Sequence, residues 1–275
     1  MTCQTCGNPH QENFCPSCGE KRYDPHSLSL KHMLEESLET FTHADHNFLR
    51  TLHAVLLRPG ELPAEYVAGR RIRYMKPLGF FLLINLLFFL LTSSNAFNQP
   101  LDSFLNYTPY ITFGTNKTVD HRLAERHETL DEFTPRFNTA MASSSKGFLV
   151  LLIPLYALVF NLLFIRTRRS FIEHLVFATY FVAFMLLFML LEKLLIAVPF
   201  MALFGQQGWV SYGDRLVTLI GLLSLAIYLF LAFRRFYQTG VVWSLLTATL
   251  SSLTLAAIVV AYRMMLFYKI VLTSH

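Results

Sequence analysis

Residues 174–191 read HLVFATYFVAFMLLFMLL, eighteen positions whose only ionisable side chains are one imidazole and one phenol. Roughly 18 to 20 such residues carry a helix across the apolar core of a bilayer, so this stretch is read as a transmembrane span. Comparable charge-free windows run from Pro77 to Leu101, Gly147 to Ile165, Leu216 to Phe233 and Phe236 to Tyr262. Composition agrees: of 275 residues, 53% are apolar and only 15% charged, against about 25% charged in a soluble globular chain. So few polar groups cannot coat a water-facing particle of this size, which excludes a soluble enzyme, a collagen-like chain and a disordered chain. The expected fold is an all-α integral membrane protein with five transmembrane helices near 77–94, 147–165, 171–193, 216–233 and 241–262. These lie within a membrane domain, 77–275, that includes an extracytoplasmic loop, 95–146.

Orientation follows from the basic residues that flank the spans. Arg70, Arg71, Arg73 and Lys76 precede the first, Arg166, Arg168 and Arg169 follow the second, and Arg234 and Arg235 follow the fourth. The segment 95–146 is mixed in sign. The clusters therefore share one face with the N-terminus, which is expected to be cytoplasmic, with no secretory leader ahead of it and the C-terminus outside. Leu194 to Phe204, interrupted by Pro199, is short for a crossing and is read as a kinked or interfacial extension of the third span, since a sixth crossing would carry Arg234 and Arg235 outward.

All four cysteines fall within the first 18 residues, as Cys3-x-x-Cys6-Gly7 and Cys15-x-x-Cys18-Gly19. Two residues between thiolates let one tight turn place both sulfurs on one ion, and each following glycine permits a positive φ. The expectation is a minimal four-cysteine zinc ribbon over 1–22, holding one structural Zn²⁺ through Cys3, Cys6, Cys15 and Cys18. Paired disulfides are the alternative and belong in an oxidising compartment, opposite to the side assigned to the N-terminus.

Residues 23–76 are expected to form a cytoplasmic segment of amphipathic helices. Ser27 can cap a helix carrying Leu30, Met33, Leu34, Leu38 and Phe41 at three- and four-residue steps. Phe48, Leu49, Leu52, Val55 and Leu56 form a second periodic stretch that stops at Pro59-Gly60. A third, from about Pro63, sets Tyr66, Arg70 and Tyr74 on one face. With Arg71, Arg73 and Lys76 this reads as a basic and aromatic face at the membrane surface, either positive-inside anchoring or recognition of anionic headgroups or a partner.

Four motifs carry a family resemblance: Phe14-Cys15-Pro16-Ser17-Cys18-Gly19, Thr51-Leu52 leading into Leu57-Arg58-Pro59-Gly60, Tyr66 to Tyr74 (YVAGRRIRY) with Pro77, and Glu173-His174-Leu175-Val176-Phe177. The chain resembles the bacterial membrane proteins grouped as domain of unknown function 3667. The resemblance implies an N-terminal zinc ribbon followed by several helices in a bacterial inner membrane, with no established activity.

Further candidates for chemistry are few. His43, Asp45 and His46 stand close enough in sequence to share a second metal, although capping of a helix by Asp45 explains the same residues. His121, Glu125, His127 and Glu128 form a weaker set. Glu173 and His174 open the third span as a boundary polar pair, read either as a site for protons or substrate or as a structural salt bridge to Arg166, Arg168 or Arg169. Nucleic acid is not expected as a partner, because only Lys21 and Arg22 adjoin the knuckles and binding of that kind draws on many phosphate contacts. The favoured reading is a membrane-anchored interaction or assembly protein presenting its ribbon to a cytoplasmic partner, with no catalytic residue assigned. A small-molecule or ion transporter and a lipid- or quinone-modifying enzyme are the alternatives.

Overall fold

A computed structural model describes residues 2–22, 47–92, 97–147, 149–208 and 214–273. Among them the chain is helical, with no strands and two isolated bridges, Thr2 to Pro9 and Phe14 to Lys21. The helices are α1 (Asn47–Leu57), α2 (Glu61–Val67), α3 (Pro77–Leu91), α4 (Leu101–Asn106), α5 (Thr115–Arg126), α6 (Leu130–Gly147), α7 (Leu152–Leu163), α8 (Phe171–Glu192), α9 (Val198–Gly208), α10 (Asp214–Phe236) and α11 (Val241–Thr273). They fall into two compact units, Met1–Phe88 with Leu152–Ser252, and Phe89–Leu151 with Leu253–His275.

In the first unit α8 is the core. A helix apolar on every side must be covered on every side, and α8 buries His174 to Leu187 without interruption. It packs against α1, α2, α7 and α10. The seams are aromatic: Phe160 meets Phe177 edge-on at 5.2 Å and Phe233 at 5.5 Å, and Phe184 stacks on Tyr228 at 3.5 Å. Tyr180 donates its hydroxyl to the Met75 carbonyl at 2.7 Å, tying α8 to the entry of α3. Opposite these seams α7 and α10 expose Leu155, Leu158, Leu162, Leu219, Leu223 and Ile227, a row of aliphatic side chains that water would not tolerate and lipid would cover.

Three helical stretches are long and apolar enough to cross a membrane: Phe171–Gly205, Leu216–Phe236 and Val241–Thr273. Leu130–Ser145 with Leu149–Leu163 makes a fourth if the bent pair counts as one span. The first two expected spans are shorter helices than their windows suggest. Pro77–Leu91 has 15 residues, and in the second window Pro154 sits in the first turn of a 12-residue α7, where proline is tolerated and fixes a helix start. Leu194 to Phe204 continues α8 through a π turn, Lys193–Ala197. The wider turn accommodates Pro199, which has no N–H to return to the preceding turn.

In the second unit the described residues of the expected loop, from 97 on, are helical and packed. Phe104 packs on Tyr110, Phe137 and Phe267 at 4.6, 5.8 and 4.9 Å. Tyr262 donates to the Ser145 carbonyl at 2.9 Å, and Arg263 to the Tyr110 hydroxyl at 2.6 Å. The buried Arg122 guanidinium bonds the Val271 carbonyl and lies over the Phe133 ring. These partners explain why α11 runs on to Thr273 instead of ending near Tyr262.

Candidate metal centre

The two knuckles repeat one backbone pattern. Cys3 N–H donates to the Asn8 carbonyl and Gly7 N–H to the Cys3 carbonyl; twelve residues on, Cys15 N–H donates to the Glu20 carbonyl and Gly19 N–H to the Cys15 carbonyl. Gly7 and Gly19 both have φ 75°, a left-handed turn that a Cβ would strain. The four Sγ atoms lie within 4.8 Å of one another, with Cys3 to Cys18 and Cys6 to Cys15 at 3.5 Å. A tetrahedral ion with arms of about 2.3 Å needs ligand separations of about 3.8 Å, so the donor set and its size fit one metal ion. All four cysteines are free, and 3.5 Å is well beyond a disulfide bond of about 2.05 Å. Burial raises the Cys3 thiol, but the amides of Cys6 and Thr5 and the Cys18 and Cys6 thiols outweigh it and lower Cys3 to about 6. Among the described residues this is the only cluster of three or more His, Cys, Asp or Glu able to share an ion.

The four-cysteine segment is fastened by one carboxylate. Glu20 is 4% exposed, and its Oε2 accepts from Thr5 Oγ1 at 2.7 Å and from the Arg71 and Ile72 amides at 3.0 Å each. Arg73 adds a bond to the Thr5 carbonyl at 3.4 Å.

The basic and aromatic face is arranged differently from the expectation. Helix α2 ends at Val67 and the chain reverses at Gly69, φ 82°, so Tyr66, Arg70 and Tyr74 do not line one helical face. Tyr66 is buried under the Arg71 guanidinium, 4.6 Å from its ring. Arg70 grips Glu65 with two bonds, at 2.6 and 2.5 Å. Tyr74 donates to Glu61 Oε1 at 2.8 Å, and Glu61 also receives Arg58 at 3.2 Å and Arg235 at 2.6 Å. Lys76 is half-buried at the start of α3.

At the start of α8, Ser170 caps the helix. Glu173 pairs with Arg169 at 2.8 Å, and Arg169 in turn bonds the Phe236 carbonyl at 2.7 Å and lies over the Phe236 ring. His174 is fully buried, its Nδ1 2.8 Å from the Tyr237 hydroxyl and its Nε2 without a hydrogen-bond partner. His43, Asp45 and His46 lie outside the described residues. His121 pairs with Glu125 at 3.5 Å while Glu128 turns to Arg136, so that set does not converge.

Glu20, Glu61 and Glu192 were not singled out by the sequence reading. Glu20 and Glu61 draw partners from far along the chain, Arg71 and Ile72 for the first and Arg235 for the second. Glu192 differs, with a buried Oε1 that has no hydrogen-bond partner, against Gly221 of α10. Its one sequence signal is that it is an acid at the edge of a long apolar run.

These features define a class: a helical protein with several helices built for a bilayer and a four-thiol cluster at the N-terminal end. Residues 45–89, from just before α1 through most of α3, match the family model described as Protein of unknown function (DUF3667). That is the family the sequence resembles. The knuckles and the Glu173 motif lie outside the matched residues. No curated protein and no solved structure matches the chain.

Proposed function

We propose that this chain is a multi-pass protein of the bacterial inner membrane, with five spans, the N-terminus inside and the C-terminus outside, that presents a four-thiolate zinc ribbon to a cytoplasmic protein partner. The observation that carries the reading is the one-sided docking of the ribbon. Glu20 fixes one edge to the Arg71–Ile72 turn, while Cys6 is exposed and Phe14 stands 58% exposed. A unit too small for its own core is held in shape by metal, and a rigid surface with an aromatic anchor suits partner binding. A photocrosslinking residue at position 14 should capture one partner in living cells, and Phe14→Ser should lose that partner while retaining one zinc per chain. Crosslinks to lipid alone would overturn the reading.

Glu192 favours transport as the second reading. Carboxylates inside helix bundles of this kind serve ion and proton paths. A vesicle flux that Glu192→Gln abolishes would move the assignment there.

A further inference from the structure

Arg50, His53, Ala54 and Arg58 recur at i, i+3, i+4 and i+8, so α1 and its last turn present them on one side. Arg58 N–H still bonds the Ala54 carbonyl, at 3.0 Å, which continues the helical turn past Leu57. The reversal at Gly69 brings Arg73 and Tyr74 back against that side. The six residues line an open cleft of about 480 Å³, within the roughly 300–1,000 Å³ of small-molecule sites. Its floor, Ala54, is buried, and the small side chain leaves the space open.

The lining holds three guanidinium groups and one imidazole but no carboxylate. Like charges gathered around one space repel; Glu61 offsets Arg58 from behind, and an anion in the cleft offsets Arg50 and Arg73. Each guanidinium has five donors. Arg50 gives one to the Arg73 carbonyl at 3.4 Å, Arg58 one to Glu61 at 3.2 Å, and Arg73 one to the Thr5 carbonyl at 3.4 Å. The remaining donors have no acceptor among the described residues. The cleft is also held in shape from behind: Glu61 Oε1 accepts from both Arg58 and Tyr74, while Glu61 Oε2 is fixed by Arg235. Anchoring of this kind lowers the ordering cost of binding.

We infer that this cleft is a phosphate site, in which Arg50, Arg58 and Arg73 donate to a phosphomonoester or phosphodiester and His53 supplies a further donor. Phosphate suits the arrangement better than carboxylate, because three guanidinium groups around one cleft offer more donors than a carboxylate's two oxygens take, and a tetrahedral anion has further oxygens to receive them. The ligand has two possible sources. Tyr74 stands three residues before Pro77, so on the membrane placement proposed above the cleft lies at headgroup level. A soluble phosphate compound would reach it without that placement.

The test uses the full zinc-loaded chain in nanodiscs. In neutral phosphatidylcholine discs, inorganic pyrophosphate is titrated at constant ionic strength. In mixed discs, retention of phosphatidylglycerol over phosphatidylcholine is read by native mass spectrometry. Saturable binding in the first arm identifies a soluble ligand, and selective retention in the second a lipid headgroup. In whichever arm binds, Arg50→Gln and Arg73→Gln should each weaken binding about tenfold, and the exposed Arg166→Gln should not. If a glutamine variant fails to fold, Arg50→Lys and Arg73→Lys are read in its place; they keep the charge and lose the fork. Absence of binding in both arms, or an equal loss with Arg166→Gln, would overturn the site. Reaction of a cysteine at position 116 with an impermeant reagent tests membrane placement separately, so the two failures are distinguishable.

Discussion

Glu20 concentrates three hydrogen bonds on one buried oxygen, and bonds to a charged acceptor are worth about 1.5–3 kcal/mol when broken. Glu20→Ala should therefore raise hydrogen exchange at the amides of residues 71 and 72 more than tenfold, while metal analysis finds the same metal content as in the unaltered chain. Glu61 offers a pH signature. Burial raises its pKa, but the Tyr74 hydroxyl, Arg58 and Arg235 outweigh burial and hold the carboxyl below the ordinary 4.5. A group depressed in the folded state stabilises above its unfolded pKa and loses that contribution as pH falls through the folded one. Melting temperature should accordingly drop as pH falls below about 4.5, and Glu61→Gln should flatten that limb. For Glu173, the Arg169 pair is 25% and 21% exposed, so the about 3–5 kcal/mol of a desolvated pair shrinks toward about 1. Arg169 keeps its bond to the Phe236 carbonyl, which limits the loss further. Glu173→Gln should lower the melting point in detergent slightly and leave complementation intact. Wild-type stability with lost complementation would assign Glu173 a task beyond structure.

Between α1 and α2 the Pro59-Gly60 turn is pressed against α10. Gly60 has φ 77°, and a Cβ there would stand 2.6 Å from the Ala232 carbonyl oxygen. Gly60→Ala thus combines a left-handed strain of about 1–2 kcal/mol with a backbone clash, whereas Gly114→Ala, φ 75° with nothing within 4 Å, meets the strain alone. Chemical denaturation should show the first variant to be the less stable by a clear margin. The stop at Pro59-Gly60 was legible in the sequence because proline and glycine act on their own neighbours, and the cysteine cluster because its spacing is local. Helix α1 was legible too, from the step pattern Phe48, Leu52, Val55. The third stretch misled for the converse reason: a four-residue step continues on paper through Gly69, but the chain turns there with φ 82°. Contacts such as Glu61 with Arg235, or Arg122 with Val271, join residues so far apart that no periodicity announces them. The packing of residues 97–145 against the end of α11 rests on such contacts.

For the molecule as a whole, the proposed topology predicts that a reporter after His275 behaves as extracytoplasmic and one at the N-terminus as cytoplasmic, because nine basic residues precede the first expected span and five more occupy the two inner loops. A cytoplasmic C-terminal reporter would break the five-span reading. Chelation should unfold the proposed ribbon and leave helical circular dichroism nearly unchanged, since α8 packs against α1, α2, α7 and α10. The repeated hydrogen-bond pattern of those knuckles makes them near-equivalent halves, as in a plug that would enter its socket either way round. Asn8 and Glu20 occupy matching places in the repeat, and only the second carries a charge. That difference acts as a key on the plug: Glu20 takes the Arg71 and Ile72 amides, and so the second knuckle is the one that faces them. Exchanging the two residues would be expected to invert the display and offer a partner the opposite half.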